Sequence, residues 1–350
     1  MKFLLYISYA YGFPIVRPLQ AEILKRGYKV AWYVENEASK KKIKASEKLL
    51  NTVKEVLDFK PDAVLVASNE VPHFFPGIKV QLFHGFSVNK RSKDKGHFRI
   101  RGFFDLYCTQ GPSTTTYFKE LEKKHKHFKV VETGWSKVDV LFPVNQNSVK
   151  TKPTIFIAST FTERLSLAHN STVFKEIVRL IENEDWNWIL NLHPKMDAAI
   201  VHKFQQLNSY KNVTYLPYLE DLEPLKQADV MFTDTSSIIT EFIIQKKPVI
   251  TFNNNLPKDC FINITTADDL KSSIEYALKR PEELMHKIEK FVLEEHPYFD
   301  GKSSERVIDA VENFIRKNEL KNLKVKPLNL IRKYKICKRL NYFKFYSIVK

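Results

Sequence analysis

Residues 228–242, ADVMFTDTSSIITEF, pass from a short apolar run to a helical pattern through the turn Asp-Thr-Ser-Ser. The apolar run is typical of a buried strand, and the spacing of apolar residues after the turn predicts a helix over 236–246. A strand followed directly by a helix is half of a βα unit, from which parallel sheets are built. This stretch therefore predicts an α/β protein with hydroxyl side chains at a strand-to-helix turn.

The same alternation of strand and helix patterns runs along most of the chain, in two series. In the first series the predicted strands are KFLLYIS (2–8), YKVAWYV (28–34), DAVLVAS (62–68), IKVQLF (78–83), FDLYCTQ (104–110) and FKVVET (128–133). In the second series they are TIFIAST (154–160), WNWILNL (186–192), NVTYLP (212–217), DVMFTD (229–234) and PVITFN (248–253). Helices are predicted at 14–26 and near 170–183, 196–207, 219–227 and 236–246, and the pattern is mostly helical over 266–318.

A polar segment with prolines at both ends, PVNQNSVKTKP (143–153), separates the two series and is predicted to be a linker. A chain of 350 residues that is 43% hydrophobic is long enough for two cores. We therefore predict two doubly wound domains, 1–143 and 153–318, that face each other across a cleft. In such folds the functional crevice lies at the carboxyl ends of the strands, so candidate residues are expected just after strands.

The positive charge of the chain is concentrated at its C-terminus. The formal net charge is +16, and residues 321–350 contain ten Lys or Arg and no Asp or Glu. Because these cations alternate with Leu, Ile, Tyr and Phe, we predict that 319–350 is a basic amphipathic tail that binds an anionic membrane surface. Nucleic acid is the rival partner, but the aliphatic residues offer nothing to phosphates or bases. A solvated helix, or one packed on a partner, is the remaining alternative.

Two other features of the sequence bear on the cellular compartment of the protein. The three cysteines, Cys108, Cys260 and Cys337, are far apart and odd in number, which fits neither a disulfide framework nor a zinc cluster. No apolar run approaches the roughly 20 residues of a membrane span, and the N-terminus lacks the features of a signal peptide. We therefore expect a cytoplasmic protein.

The second series has no glycine-rich phosphate loop, because eight of the nine glycines lie at or before Gly134 and the ninth is Gly301. A phosphate bound there would need a helix N-terminus and hydroxyl side chains instead. Residues 234–237 offer both, so Asp234, Thr235, Ser236 and Ser237 are candidate diphosphate ligands. The structural alternative is that Ser236 is an ordinary N-cap and its neighbours only fill the turn.

Two histidines follow predicted strands. His193, in WILNLHPKMD, is expected at the same sheet edge as Ser236, and Lys195 adds positive charge there. His84, in VQLFHGFSVNK, can exchange a proton near neutral pH, and Gly85 would allow a tight turn beside it. Each histidine is equally compatible with a purely structural role. Together they predict that one histidine enters the cleft from each domain.

Three further stretches contain secondary candidates. TGWSKVDVLF (133–142) has Lys137 and Asp139, and STFTERLS (159–166) has Thr160 and Arg164. EEHPYFDGKSSERVIDAV (294–311) has Lys302 and Ser303, but its Ser-Ser-Glu is also typical of a helix capping box. Charged residues in loops are commonly just solvated.

The order of the motifs carries more information than any one of them. They are Q-x-x-H-G (81–85), T-G-x-x-x-x-D-x-L (133–141), L-H-P (192–194), A-D-x-x-x-T-D-x-S-S (228–237), K-P-V-I (247–250) and D-G-K-S-S-E-R (300–306). This series, across roughly residues 78–312, resembles the CDP-glycerol glycerophosphotransferase family of teichoic-acid-type polymer synthesis.

The resemblance implies a GT-B-like arrangement of two Rossmann-like domains, with the donor held by the C-terminal one and no metal or other cofactor. It implies that His84 is a general base and His193 a ligand of the donor phosphate, and that Ser236 and Ser237 hold the diphosphate while Asp234 orients the turn. It also implies a lipid-linked or glycan acceptor and a place on the inner face of the cell membrane.

The chain departs from that family at three positions: Phe83 in place of Trp, Ser136-Lys137 in place of Pro-Arg, and Thr235 in place of Tyr. These departures leave the alcohol of the donor and the acceptor open. A GT-B sugar-nucleotide glycosyltransferase of surface polysaccharide synthesis is the nearest alternative. A basic, non-catalytic binding protein is a more distant one, since it gives the two histidines no role.

Overall fold

The structure is a computed structural model, which describes residues 1–86, 98–144, 152–219 and 222–343. The chain forms two compact units, Met1–Asp139 with Asp300–Lys350, and Val140–Phe299. Most of the predicted linker, 145–151, lies outside the described residues. Both units are parallel-sheet α/β structures, which confirms the predicted fold class.

Helices and strands are numbered along the chain. The strands of the first unit are β1 (Lys2–Ile7), β2 (Lys29–Val34), β3 (Leu49–Leu50), β4 (Ala63–Val66), β5 (Ile78–Gln81), β6 (Leu106–Thr109) and β7 (Lys129–Glu132). Those of the second are β8 (Thr154–Ser159), β9 (Asn187–Leu192), β10 (Val213–Leu216), β11 (Val230–Thr233), β12 (Val249–Phe252) and β13 (Ile262–Ile264). All eleven predicted strands are confirmed, while the short strands β3 and β13 were not predicted.

The helices of the first unit are α1 (Phe13–Lys25), α2 (Glu37–Lys40), α3 (Val53–Phe59), α4 (Pro112–His125), α11 (Ser303–Arg316) and α12 (Leu330–Arg339). Those of the second are α5 (Ser171–Asn183), α6 (Ala198–Gln205), α7 (Glu223–Gln227), α8 (Ile238–Ile243), α9 (Leu270–Leu278) and α10 (Glu282–Glu295). The described residues include no helix that is both long and apolar enough to cross a membrane.

The sheet of the first unit has the strand order β3-β2-β1-β4-β5-β6-β7, and every neighbouring pair is parallel. Strands β1, β4, β5 and β6 are almost entirely buried, as expected for strands covered by helices on both faces. Chain order reverses between β1 and β4, so the crevice at their carboxyl ends is the position where ligands bind in such folds.

The second sheet has the order β10-β9-β8-β11-β12-β13 and is also parallel throughout. Its core packs around Ile155, Leu190 and Phe232, each fully buried on a central strand. Chain order reverses between β8 and β11. The hydroxyl-rich turn after β11 therefore lies beside the switch point of this sheet.

The structure corrects the predicted domain boundary at residues 300–318, which fold with the first unit. The carboxylate of Asp139 accepts hydrogen bonds from the backbone N–H groups of Ser303 (2.8 Å) and Ser304 (2.7 Å), at the start of α11. Further along α11, Arg306 donates to the carbonyl oxygen of Thr133 (2.9 Å). These contacts join residues far apart in sequence, so the local pattern of the helix could not predict them.

The predicted tail, 319–350, is also part of the first unit as far as it is described. Ile336 of α12 is fully buried and belongs to the hydrophobic core of that unit. Before α12, Lys326 forms an ion pair with Asp105 (2.6 Å), and within it the guanidinium of Arg339 forms one with Glu35 (2.9 Å). The segment is therefore docked along one face, and residues 344–350 lie outside the description.

Candidate active site

Asp234, the first residue after β11, joins the two strands that border the switch point of the second sheet. Its carboxylate accepts hydrogen bonds from the hydroxyl of Ser159 (2.7 Å) and from the backbone N–H groups of Thr160 (2.9 Å) and Leu167 (3.1 Å). Burial raises the pKa of Asp234, and these hydrogen bonds oppose that rise. Asp234 is 0% exposed, and its carboxylate positions the turn. Its direct contact with a diphosphate stays a prediction. Thr160 likewise contributes its backbone to this network.

Ser236 and Ser237 lie on the outer side of the same turn, where Ser236 is half-buried and Ser237 is exposed. Ser237 occupies the N-cap position of α8, yet its backbone is helical (φ −72°, ψ −17°) and its side chain makes no capping hydrogen bond. The assigned N-cap is thus one residue after Ser236, and capping by Ser236 stays a prediction. Because α8 has only six residues, its dipole is weak and the hydroxyls are the main donors offered here. The hydroxyl of Thr235 is buried and has no partner among the described residues.

His193 follows β9, whose neighbour β8 separates it from β11. With strands about 4.8 Å apart, the ends of β9 and β11 are roughly 10 Å from each other. The backbone N–H of Lys195 donates to Nδ1 of His193 (3.1 Å), which places the ring proton on Nε2. Burial and the nearby Lys195 lower the pKa of His193. At neutral pH His193 is thus a neutral donor through Nε2–H, which suits a phosphate oxygen.

Phe161 is a member of this edge that the sequence analysis missed. Its ring lies 4.5 Å from the ring of His193, centroid to centroid, and the Lys195 ammonium lies 5.7 Å from its centroid. An exposed aromatic residue directly after a predicted strand was the available signal. Arg164, in the same loop, is exposed and lines a pocket of about 240 Å³ together with Asn253, the residue after β12.

In the first unit, His84 follows β5, and its ring contacts the residue that follows β4. Its Nδ1 lies 3.3 Å from the carbonyl oxygen of Ala67, the residue after β4. Because a carbonyl only accepts, the proton is on Nδ1, and Nε2 carries the lone pair. Burial lowers the pKa of His84, the bond to Ala67 opposes this, and nearby Arg101 lowers it further. His84 is therefore a neutral imidazole at neutral pH, in the tautomer that a general base requires at Nε2.

The turn at His84 does not depend on Gly85 as predicted. The residue with a left-handed backbone is Phe83 (φ +58°), and its buried ring contacts Phe118 in the core, with ring centroids 5.0 Å apart. A Cβ added at Gly85 would meet no atom within 4 Å. The carbonyl of Gly85 accepts a hydrogen bond from the side chain of Gln110 (3.1 Å), which fixes the backbone after His84.

Four of the secondary candidates, Lys137, Asp139, Lys302 and Ser303, lie in the first unit. Asp139 and Ser303 meet at the start of α11, where the hydroxyl of Ser304 also donates to Asp139 (2.7 Å). The helix is thus capped by a distant aspartate and not by its own Ser-Ser-Glu. Lys137 lies over the ring of Trp135 (5.3 Å to the centroid), and Lys302 is exposed. A direct part of these four residues in chemistry stays a prediction.

The cysteines and the potential metal ligands were also subjects of prediction. All three cysteines are free and buried. In the described ranges no group of three or more His, Cys, Asp or Glu side chains is arranged to hold a metal ion. The expectation that the reaction needs no metal stays a prediction.

The two parallel-sheet units, with His84 after β5 of the first and the hydroxyl-rich turn beside the switch point of the second, define a protein with the GT-B-like fold. The sequence model of the UDP-N-acetylglucosamine 2-epimerase family matches residues 109–312, more than half of the chain. The chain belongs to that family. Membership of the CDP-glycerol glycerophosphotransferase family, which the motifs resemble, is not confirmed by these matches.

One curated relative, the UDP-N-acetylglucosamine 2-epimerase of Methanocaldococcus jannaschii, is 26% identical over 141 residues. That match covers 39% of this chain and 38% of the relative. Its solved structure aligns with a TM-score of 0.59 and 18% identity, covering 89% of this chain and all of that one.

Two other solved structures are similar in fold. The wall teichoic acid polymerase TagF aligns with a TM-score of 0.65 and 15% identity, covering 90% of each chain. A complex of S. aureus MnaA with UDP aligns with a TM-score of 0.61 and 17% identity, covering 90% of this chain and 97% of that one. At these identities the likeness concerns the fold.

Proposed function

We propose that this protein is a CDP-alditol phosphotransferase, which moves a polyol phosphate from CDP-glycerol or CDP-ribitol onto a lipid-linked or glycan acceptor in cell-surface polymer synthesis. The observation that carries the proposal is the 3.3 Å contact between Nδ1 of His84 and the carbonyl oxygen of Ala67. Because Nδ1 is held there, Nε2 has the lone pair that deprotonates an acceptor hydroxyl.

In the proposed reaction, the acceptor oxygen attacks the phosphorus that bears the alcohol. Its proton passes to Nε2 of His84, a new P–O bond forms, and the bond to the CMP phosphate breaks. Such a transfer depends on positioning and on donors around the developing negative charge. At the second unit the Nε2–H of His193, the ammonium of Lys195 and the hydroxyls of Ser236 and Ser237 would hold the diphosphate and the departing CMP.

A UDP-sugar enzyme is the second candidate, and the family match over residues 109–312 favours it. It includes the sugar-nucleotide glycosyltransferase predicted as an alternative and the epimerase after which the family is named. Epimerisation at a sugar carbon requires groups that remove a proton from carbon and return it to the opposite face. A glycosyltransferase needs only a base for an acceptor hydroxyl, which His84 would also satisfy.

A donor panel separates these candidates. The full chain is incubated with CDP-glycerol, CDP-ribitol, UDP-N-acetylglucosamine or UDP-glucose and a detergent-solubilised lipid-linked acceptor, and the nucleotide products are measured. The proposal predicts CMP from a CDP-alditol. Release of UDP, or interconversion of UDP-sugars without any CMP, would reject it in favour of the second candidate.

We also propose that the protein works at the cytoplasmic face of the membrane, bound to anionic lipids through residues 321–350. The exposed apolar side chains of the described part are Val325, Leu328, Leu330, Ile331, Tyr334 and Phe343. Exposed cations, including Lys335 and Lys338, lie among them. An exposed apolar surface surrounded by positive charge is complementary to an anionic bilayer. Nucleic acid would leave the aliphatic side chains without a role.

A further inference from the structure

Two tyrosines are exposed side by side on the turn that follows β1. Tyr9 is 60% exposed and Tyr11 is 43% exposed. Their rings are nearly parallel, at 17°, and their centroids are 5.6 Å apart. Folding gains nothing from leaving two large aromatic rings in water, and adjacent exposed aromatic side chains commonly mark a binding surface.

The turn holds the tyrosines firmly. The backbone N–H of Gly12 donates to the carbonyl of Tyr9 (3.0 Å), and α1 begins at the next residue, the buried Phe13. A Cβ added at Gly12 would lie 2.9 Å from Cδ1 of Ile7, so the turn packs closely on the end of β1. The exposure of the two rings is thus a property of an ordered turn.

The tyrosine pair is next to the candidate base. The ring centroid of Tyr11 is 5.2 Å from that of His84. Burial, together with Tyr9, raises the pKa of Tyr11 to about 12, so its hydroxyl stays neutral and able to donate at physiological pH. A molecule that stacks on the pair would therefore bring its hydroxyl groups close to His84 without meeting a charge on the tyrosines.

We propose that Tyr9 and Tyr11 form a stacking platform for a pyranose ring of the acceptor, which presents one ring hydroxyl to His84. This inference rests on the proposed transferase and names the class of its acceptor. A pyranose has a face of C–H groups that packs on the negative face of an aromatic ring. A glycerol phosphate chain has no such face, so it cannot stack on the two rings. The base of the nucleotide is the other flat ligand, and CMP is therefore one of the probes in the test.

The platform can be tested without any donor or turnover. Saturation-transfer NMR on the full chain would measure binding of methyl β-glucopyranoside, methyl N-acetyl-β-glucosaminide, sn-glycerol 3-phosphate and CMP. The variants are Tyr9→Ala, Tyr11→Ala and Tyr11→Phe, and Tyr218→Ala is the control because Tyr218 is 60% exposed in the other unit. We expect Tyr11→Ala to weaken glycoside binding about tenfold, whereas Tyr11→Phe and the control retain it.

The outcomes separate this inference from the proposed function. If CMP or glycerol phosphate loses binding in the tyrosine variants and the glycosides do not, or if no probe binding depends on the two rings, the platform assignment is wrong. A donor panel that yields no CMP would reject the CDP-alditol reaction. Glycoside binding by the tyrosine pair would still be decided by the NMR result alone.

Discussion

His84 leads to a prediction about pH. Because burial lowers its pKa from the usual 6.5, the neutral, active form persists below that value. The rate should fall only when the pH drops through the lowered pKa and the imidazole gains a proton. In a profile of kcat/KM against pH we therefore expect an acidic limb below pH 6.5 that is absent from the residual activity of His84→Ala. The exposed His202→Ala is the control. An acidic limb above pH 6.5, or one retained in His84→Ala, would contradict the assigned base.

Ser236 and Ser237 lead to a prediction about donor binding. Two hydroxyl donors to a charged diphosphate contribute about 1.5 to 3 kcal/mol each, so the double change to Ala should raise the donor KM about a hundredfold or more. Since Ser237 makes no capping bond, we expect the melting temperature to stay close to that of the wild type. Ser272→Ala, on an exposed face of α9, is the matched control. A large loss of stability with unchanged donor KM would mean that the hydroxyls are structural.

Single residues were predicted from the sequence only in part. The positions of His84 and His193 after strands followed from the apolar runs before them. The tautomers did not, because each depends on one backbone group: the carbonyl of Ala67 and the N–H of Lys195. The burial of Asp234 could not be predicted either, because its hydrogen-bond donors lie at residues 159–167, far from it in sequence.

The loop after β8 and the turn after β11 form one element of the proposed donor site, and hydrogen bonds to Asp234 hold them together. Replacing Asp234 with Ala leaves the buried N–H groups of Thr160 and Leu167 without an acceptor, at a cost of about 3 kcal/mol in the free energy of unfolding. Urea denaturation of Asp234→Ala should show this loss, and the exposed Asp268→Ala should not. Equal stability of the two variants would mean that the network contributes nothing to the turn.

Whole elements were predicted best where a long apolar pattern specified them. Most of the eleven predicted strands are largely buried, and burial on both faces requires the continuous apolar runs that predicted them. The edge strands β7 and β10 are partly exposed. The strand β3 has only two residues and offers no such run. The helix α11 was predicted as a helix but assigned to the wrong domain, because Asp139 and Thr133, which hold it, lie more than 160 residues away.

At the scale of the whole molecule, the C-terminal segment leads to a prediction about membranes. Ile336 of α12 is buried, whereas Ile331 of α12 and Leu328, which precedes the helix, are exposed, so changing the exposed pair to Asp should spare folding. We expect the wild type to co-sediment with phosphatidylglycerol vesicles more than with phosphatidylcholine vesicles, and the double variant to lose this at least tenfold. Leu24→Asp, at an exposed position of α1, is the control. Binding that ignores both lipid charge and the double variant would reject the membrane surface.

The composition predicted a basic amphipathic tail outside the two domains, and the structure docks the described part of it on the first unit. The ion pairs Lys326–Asp105 and Arg339–Glu35 join cations of the tail to carboxylates of distant segments. Charge counting along the sequence could not reveal such pairs. The predicted alternation of two doubly wound units, by contrast, depends on local patterns and is confirmed.

The central claim, transfer of a polyol phosphate, is tested most directly by finding which bond of the donor breaks. CDP-glycerol labelled with ³²P at the phosphate next to glycerol is incubated with the full chain and a lipid-linked acceptor. Attack at phosphorus predicts that the label moves to the acceptor while unlabelled CMP is released, and that His84→Ala slows this movement about a hundredfold or more. Label that remains with the nucleotide, as CDP or as unreacted donor while a UDP-sugar is consumed, would contradict the proposed reaction.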